Sequence, residues 1–489
     1  MARASSTFAD RRAVTVALAA IVILAAALRF ATLGGQSFWT DEAVTIDLLR
    51  RPLGDLLPAV RDSESTPPLY YLVAWVWAKV FGTGEAGVRS LSALAGTLTV
   101  PVVAAIGARL AGARGALIAA ALAATNPLLV WYSQEARAYS LLVLLVAASL
   151  LAWLAAVDSP TPRRLLVWGV LCALSLATHY FAIFTVAAEA AGLLLVLRGR
   201  RLPVLLAAFA VPAVMALVLL PLALDQQSAD RAAFIRSTAL ASRIAQVPKQ
   251  LLVGYDAPAE RLLSVIAGLL VAAALAWLVL RRPWPRPLAW LLGVVAASLL
   301  VPVILAPAGA DYLITRNVIG AAAGALTLVA AGFARARPAA LGAVAALALS
   351  VVGLVAVIGV DRTQAFQRDD WRGAVRALGE GTRPRAVVVV PGGGITAVRL
   401  YLPGATVPGP RAPAVREIDV LIIAAHQPGA TRRTPALPAT PPAPGLVPIG
   451  TRTSETWAVA RFRPASGSIA PSALSGVAAY GPATILVQR

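Results

Sequence analysis

The chain has 489 residues, 59% of them hydrophobic, and a formal net charge of +20. Soluble domains average about 45–50% apolar residues, so this composition excludes an ordinary soluble enzyme and points to a polytopic membrane protein. The charge does not imply nucleic acid. It is nearly all arginine, with only Lys79 and Lys249 as lysines, and it falls in short clusters between apolar runs, as topology determinants do.

The first apolar run, 13–33, follows MARASSTFADRR. It is longer than the apolar core of a signal peptide, and SFWTDEA (37–43) follows almost at once, so an uncleaved first membrane helix is expected. Further spans are expected near 89–109, 114–132, 138–157, 165–179, 180–197, 203–224, 261–280, 286–308, 312–333 and 338–360, about eleven in all. The one cysteine, Cys172, lies within such a run and supports neither an intramolecular disulfide nor redox chemistry. The run 67–82 is shorter, opens on Pro67-Pro68 and carries Tyr70, Tyr71, Trp75, Trp77 and Lys79. It reads as a helix lying on the interface.

If 67–82 does not cross, Arg11/Arg12, Arg109/Arg114, Arg163/Arg164, Arg198/Arg200/Arg201, Arg281/Arg282/Arg286 and Arg335/Arg337 all fall on one side. The positive-inside rule makes that side cytoplasmic. The polar segments SFWTDEA, STPPLYY (65–71), YSQEARAYS (132–140), His179-Tyr180 and DYLITRN (311–317) then fall together on the outer face of a plasma membrane.

After residue 360 hydrophobicity drops. A helix over 368–381 and strands at 386–390, 420–425 and 456–462 are expected, with an extended loop over 427–447. The expected organisation is a helical membrane domain, 1–360, with an outer loop over 34–86, and a small extracytoplasmic α/β domain, 361–489. PGGG (391–394) has the spacing of neither phosphate-binding loop and reads as a tight turn. His426 stands alone.

Carboxylates and arginines gathered at a lipid–water boundary suit group transfer from a lipid-linked phosphate. Such a reaction needs a base for the acceptor hydroxyl and cationic groups for the departing phosphate. Asp41 is the candidate base, with Glu42 beside it; both also suit the first turn of a helix. Glu135, Arg137 and Tyr139 are candidate substrate-binding residues, the alternative being a boundary ion pair with aromatic anchors. Arg89 and Arg316 lie at outer ends of their spans, where a guanidinium can grip phosphate. His179 and Tyr180 are candidate sugar or ion contacts. No spacing enforces a metal site; for a divalent ion the candidate ligands are Asp41, Glu135 and His179. Glu189, inside a span, is compatible with helix pairing or with the site.

In these segments, taken in order over roughly 13–200, the chain resembles the GT-C fold glycosyltransferases. The similar branch contains the protein O-mannosyltransferases and the aminoarabinose transferases. The matching pieces are WTDEA, PPLYY, GVRSLSALAGTLTVP (87–101), YSQEARAYS and THYF (178–181). More general likeness continues through Tyr312–Asn317 and DDWR (369–372). The resemblance implies an inverting transferase that takes a sugar from a polyprenyl-phosphate donor, with Asp41 as base and Arg89 needed for activity. The main reading is therefore an enzyme acting on a cell-envelope glycan or lipid. Ser65-Thr66 stands where relatives often place His or Glu before the Pro-Pro, which removes a metal ligand there. A transporter or flippase of lipid-linked sugars is the alternative. Transporters, however, tend to carry internal repeats and charges near the midplane, whereas here the polar clusters gather on one face and no repeat is seen.

Overall fold

The computed structural model describes residues 2–199, 202–381, 384–424, 434–437 and 440–489. Arg200, Arg201, Ala425, His426 and part of the expected 427–447 loop lie outside the described residues. The chain divides into two compact units, one of residues 1–33 and 51–358, the other of 34–50 and 359–489. The second unit takes in the SFWTDEA segment as well as the C-terminal residues.

In the first unit the apolar runs are helices. Among the described residues seven are long and apolar enough to cross a membrane, and Leu69–Phe81, Tyr180–Val196 and Ile319–Ala334 are shorter apolar helices. One of the seven, Glu85–Thr125, is two helices joined at Ala111 and Gly112, where Gly112 takes φ 63°. The break falls between Arg109 and Arg114, as expected for a turn between two spans. Leu69–Phe81 has 13 residues. At ~1.5 Å per residue it falls well short of a ~30 Å hydrocarbon core.

Two expected spans are shaped differently. The run over 114–132 is interrupted after Thr125: the Asn126 side chain accepts from the Leu129 N–H at 3.0 Å and Pro127 opens a new short helix, Pro127–Ser133. The run over 312–333 is not helical from its start. Residues 311–314 are irregular, two 3₁₀ turns follow at Thr315–Asn317 and Ile319–Ala321, and the α-helix begins only at Ala322. Leu313 and Val318 pack with Val247 in a small buried cluster, so burial rather than helix formation accounts for the apolar pattern there.

Large apolar side chains face outward on these helices; Leu280 is 77% and Val80 72% exposed. A bilayer, not water, suits that surface. Inside, small residues bring backbones together. A Cβ on Gly332 would lie 2.2 Å from the Ala274 carbonyl oxygen, and one on Gly353 2.4 Å from that of Thr125. Gly332→Leu should therefore cost about 1–3 kcal/mol by overpacking, read as a lowered thermal midpoint in detergent. An unchanged midpoint would mean the two helices separate freely at this point.

Two buried ionisable groups inside this unit are well matched. Glu189 accepts from Ser149 (2.9 Å), Trp168 (2.7 Å) and Cys172 (3.5 Å), and its carbonyl from Trp153 (2.6 Å). It therefore pairs with the helices Tyr139–Asp158 and Pro162–Thr178. Arg29 donates to the carbonyls of Ala25 (3.1 Å), Ala123 (3.0 Å) and Ala124 (3.0 Å) and to Ser133 (3.2 Å). It fastens the first helix to the carbonyl end of Glu85–Thr125.

The second unit is built on a six-stranded sheet: β1 (Arg385–Val390), β2 (Ala405–Thr406), β3 (Glu417–Ile423), β4 (Leu446–Thr453), β5 (Trp457–Pro464) and β6 (Thr484–Gln488), in the order β2-β6-β1-β3-β5-β4. β1 and β3 pair in parallel and the other neighbours are antiparallel. The uninterrupted RAVVVV of β1 fits a central strand covered on both faces. One face packs on Trp371, Leu378, Val398 and Ala43, the last contributed by the SFWTDEA segment. The expected 368–381 helix is Trp371–Leu378, capped by Asp370, whose Oδ1 accepts from the Gly373 N–H at 2.9 Å. PGGG forms a 3₁₀ turn, Gly392–Gly394, ahead of the helix Ile395–Tyr401.

Candidate active site

In the second unit the strip 34–39 is tied down at close intervals. Gln36 accepts from the Arg368 backbone N–H (3.1 Å), Ser37 donates to the Asp369 carbonyl (2.7 Å) and the Phe38 N–H donates to the Tyr401 hydroxyl (2.8 Å). The strip delivers the chain to Thr40–Arg50, whose first turn carries Asp41 and Glu42. Glu42 is fully buried and its Oε2 accepts from the Trp39 N–H at 3.4 Å. This is the return bond of a capping box, with Trp39 as the residue before the helix. Asp41 is half-buried, where the positive end of the helix dipole favours a carboxylate.

In the first unit the segment 126–140 is the hub. Arg137 forms a bidentate pair with Glu64, 2.6 Å from Nη1 and 2.8 Å from Nη2, and both side chains are buried. The Glu64 backbone is held in turn by Arg231, which donates to its carbonyl at 2.9 Å. Thr66 and Tyr71 are joined through their hydroxyls at 3.1 Å beside this pair. Glu135 is 1% exposed, and its carbonyl accepts from the Arg137 N–H at 2.8 Å.

A run of rings crosses the same region. Tyr132 packs on Tyr139 with centroids 4.5 Å apart, Tyr139 on His179 at 5.5 Å, His179 on Phe181 at 5.4 Å, and Phe181 on Tyr312 at 5.3 Å. Tyr132 and Tyr255 share a short hydroxyl–hydroxyl hydrogen bond. Burial pushes the Tyr255 phenol up, and the charges of Arg316 and Glu135 act on it in opposite directions. Arg316 and Arg137 both lie close enough to His179 for their charges to act there. Glu135, Arg137, Tyr139, His179 and Arg316 are thus brought together. Arg316 sits on a 3₁₀ turn rather than in the first turn of a helix, with its guanidinium 5.3 Å from the Phe234 ring. Its flanks are held by Arg243, bidentate to Asp311 at 2.6 Å on each side and 3.0 Å from the Leu313 carbonyl. That guanidinium holds the Asp311 carboxyl below the usual carboxylate range.

Other residues are placed differently. Tyr180 donates to Gln226 (3.0 Å), which donates to the Val60 carbonyl (3.2 Å). Arg89 is 1% exposed and donates to the Leu33 carbonyl at 2.9 Å, at the end of the first helix. Among the described residues no three His, Cys, Asp or Glu side chains are grouped as a metal site. Sequence reasoning missed Glu64, Arg231, Tyr255 and the Arg243–Asp311 pair. Glu64 immediately precedes STPPLYY, three residues before Pro67.

Most of the chain matches known structures. It superposes on ArnT from Cupriavidus metallidurans in the apo state with a TM-score of 0.60 at 13% identity, covering 92% of this chain and 98% of that one. The chain has the GT-C fold. The form of ArnT bound to undecaprenyl phosphate matches with a TM-score of 0.56 at 14% identity, over 91% of this chain and 97% of that one. By sequence, a family model described as dolichyl-phosphate-mannose-protein mannosyltransferase matches residues 65–224. Arg89, Glu135, Arg137, Tyr139, His179 and Tyr180 fall inside that stretch, and Asp41 and Arg316 outside it. No curated protein sequence matches the chain. The GT-C architecture and the apolar helices make this a multi-pass membrane protein.

Proposed function

We propose that the protein is an inverting glycosyltransferase that moves a sugar from a polyprenyl-phosphate donor to a cell-envelope glycan or lipid on the extracytoplasmic face. The observation that carries the reading is the cluster of Glu135, Arg137, Tyr139, His179 and Arg316 in a GT-C chain, most of it within the stretch matched by the mannosyltransferase family model. The undecaprenyl phosphate held by the related ArnT supports a donor of that class. The one-sided arginine clusters support the extracytoplasmic orientation.

In this reading Asp41 takes the proton from the acceptor hydroxyl as its oxygen attacks the anomeric carbon. The bond from that carbon to the phosphate oxygen breaks in the same displacement, which inverts the configuration. Polyprenyl phosphate leaves with the bonding pair. Phosphate leaves readily, so cationic stabilisation suffices in place of a strong general acid. Arg137 and Arg316 supply it, with Arg89 in support. Glu42 fixes the turn that carries Asp41. Glu135, Tyr139 and His179 contact the sugar phosphate.

Purified protein incubated with a panel of polyprenyl-phosphate sugars and envelope extract should release polyprenyl phosphate and extend an acceptor with inverted configuration. A deletion strain should lack one envelope sugar. If no donor of this class is consumed and the envelope composition is unchanged, the reading fails.

A further inference from the structure

The backbone around Arg316 has little regular structure of its own. Residues 311–314 are irregular and Thr315–Asn317 is a single 3₁₀ turn, so no helical ladder fixes where that guanidinium projects. The ties come from a separate helix, Leu240–Val253, which lies in the chain between the apolar helices Leu202–Ser228 and Glu260–Leu280. Its Arg243 is 4% exposed. Nη1 donates to Asp311 Oδ1 (2.6 Å) and to the Leu313 carbonyl (3.0 Å), Nη2 to Asp311 Oδ2 (2.6 Å), and Nε to the Thr238 carbonyl (2.8 Å). Between these points and Arg316, the Asn317 side chain donates to the Tyr312 carbonyl at 2.8 Å. Val247, one helical turn beyond Arg243, packs with Leu313 and Val318, on either side of Arg316 in the chain.

The same helix also reaches the segment that carries Glu135 and Arg137. The Leu251 carbonyl accepts from the Asn126 side chain at 2.7 Å, and just past the helix end the Tyr255 hydroxyl bonds to that of Tyr132. Attachments at 243 and 251 lie ~12 Å apart along a helix. One short helix therefore sets the spacing between the turn of Arg316 and the 126–140 segment. A buried ion pair adds little net stability over apolar groups of similar volume, and Val247, Leu313 and Val318 already make an apolar contact here. What Arg243 adds is direction, because a planar fork on a carboxylate admits few orientations. We propose that Arg243 is a positioning residue: through Asp311 and the Leu313 carbonyl it aims Arg316 at the donor phosphate. This rests on the donor chemistry proposed above.

The test is single-turnover release of polyprenyl phosphate by the full chain in detergent, with envelope extract and the polyprenyl-phosphate sugar that the donor panel identifies. Loss of folded protein lowers the amplitude of such a reaction and leaves its rate constant alone. Arg243→Met should lower the rate constant by roughly 10–100-fold, the scale of a misplacement of about 1 Å. Arg243→Lys keeps the charge and should lower it less; Asp311→Asn weakens the same pair from the other side and should lower it too. The deciding variant combines Arg243→Met with Arg316→Gln. It should be no slower than Arg316→Gln alone, because the first residue acts through the second. If Arg243→Met does not fold, Asp311→Asn takes its place in the combination. Gly332→Leu, destabilised at another helix contact, should keep the wild-type rate constant. A wild-type rate constant in Arg243→Met, with only the thermal midpoint lowered, overturns the proposal. So do losses that multiply in the combined variant, or an equal slowing in Gly332→Leu. Each of these leaves the proposed function standing. If the wild-type protein turns over no donor of this class, the function falls and this inference with it.

Discussion

Asp41→Asn is expected to lower transfer by about 10²–10⁴-fold, the usual contribution of a general base, while the protein still inserts and folds. Asparagine has nearly the same volume as aspartate and is tolerated in a first helical turn. The turn is closed by other groups: the Glu42 carboxylate on the Trp39 N–H and the Ala43 N–H on the Trp39 carbonyl. The strip before it is held by Arg368, Asp369 and Tyr401. The substitution therefore removes a proton acceptor while these bonds of the turn remain. The measurement is single-turnover release of polyprenyl phosphate, beside the thermal midpoint. Glu42→Gln separates the two neighbours. It weakens a buried cap and should lower the midpoint more than Asp41→Asn does, with a smaller effect on turnover. Near-normal turnover of Asp41→Asn would remove the base from the proposal.

The helical membrane architecture was legible because apolar runs of crossing length are a one-dimensional signal. Where it misled, burial had replaced helix formation. Leu313, Val318 and Ile319 are apolar because they are buried, and the chain there is irregular and 3₁₀ until Ala322. The Asn126-Pro127 break has a local signature, cap and first-turn proline, but it lies inside a hydrophobic stretch whose mean pattern overrides it. In the sheet, β1 after Arg385 and the VLII end of β3 are continuous apolar runs and stand out in the sequence, whereas Glu417 and Asp419 hide the first half of β3. β4, LVPIGTRT, is mostly exposed and contains a proline and a glycine, so it lacks the buried-strand pattern and was read partly as loop. The partners of the site residues were the hardest to read. Arg137 and Glu64 are 73 positions apart and Arg243 and Asp311 are 68 apart, and no helical or strand period relates them. The individual polar residues could be nominated from their rarity in oily surroundings. Their pairing is a product of the packing.

The Arg137–Glu64 pair gives the other large expected effect. Arg137 serves two purposes in the proposal, structural through Glu64 and chemical through the phosphate, and a charge swap separates them. Both side chains are buried, so removing either partner breaks a buried ion pair; Glu64→Ala or Arg137→Ala should cost about 3–5 kcal/mol of stability. Arg137→Lys keeps the charge but replaces a two-pronged contact by a point contact. It should therefore cost less stability while slowing donor cleavage. The swap Glu64→Arg with Arg137→Glu re-forms an ion pair at the same place. It should recover most of the thermal midpoint lost in the single variants, because the buried charges again match. Transfer should stay low, since the guanidinium no longer projects from the 126–140 segment beside Tyr139 and His179. If the swap restores donor cleavage along with stability, Arg137 acts only as the partner of Glu64. The phosphate then falls to Arg316 and Arg89.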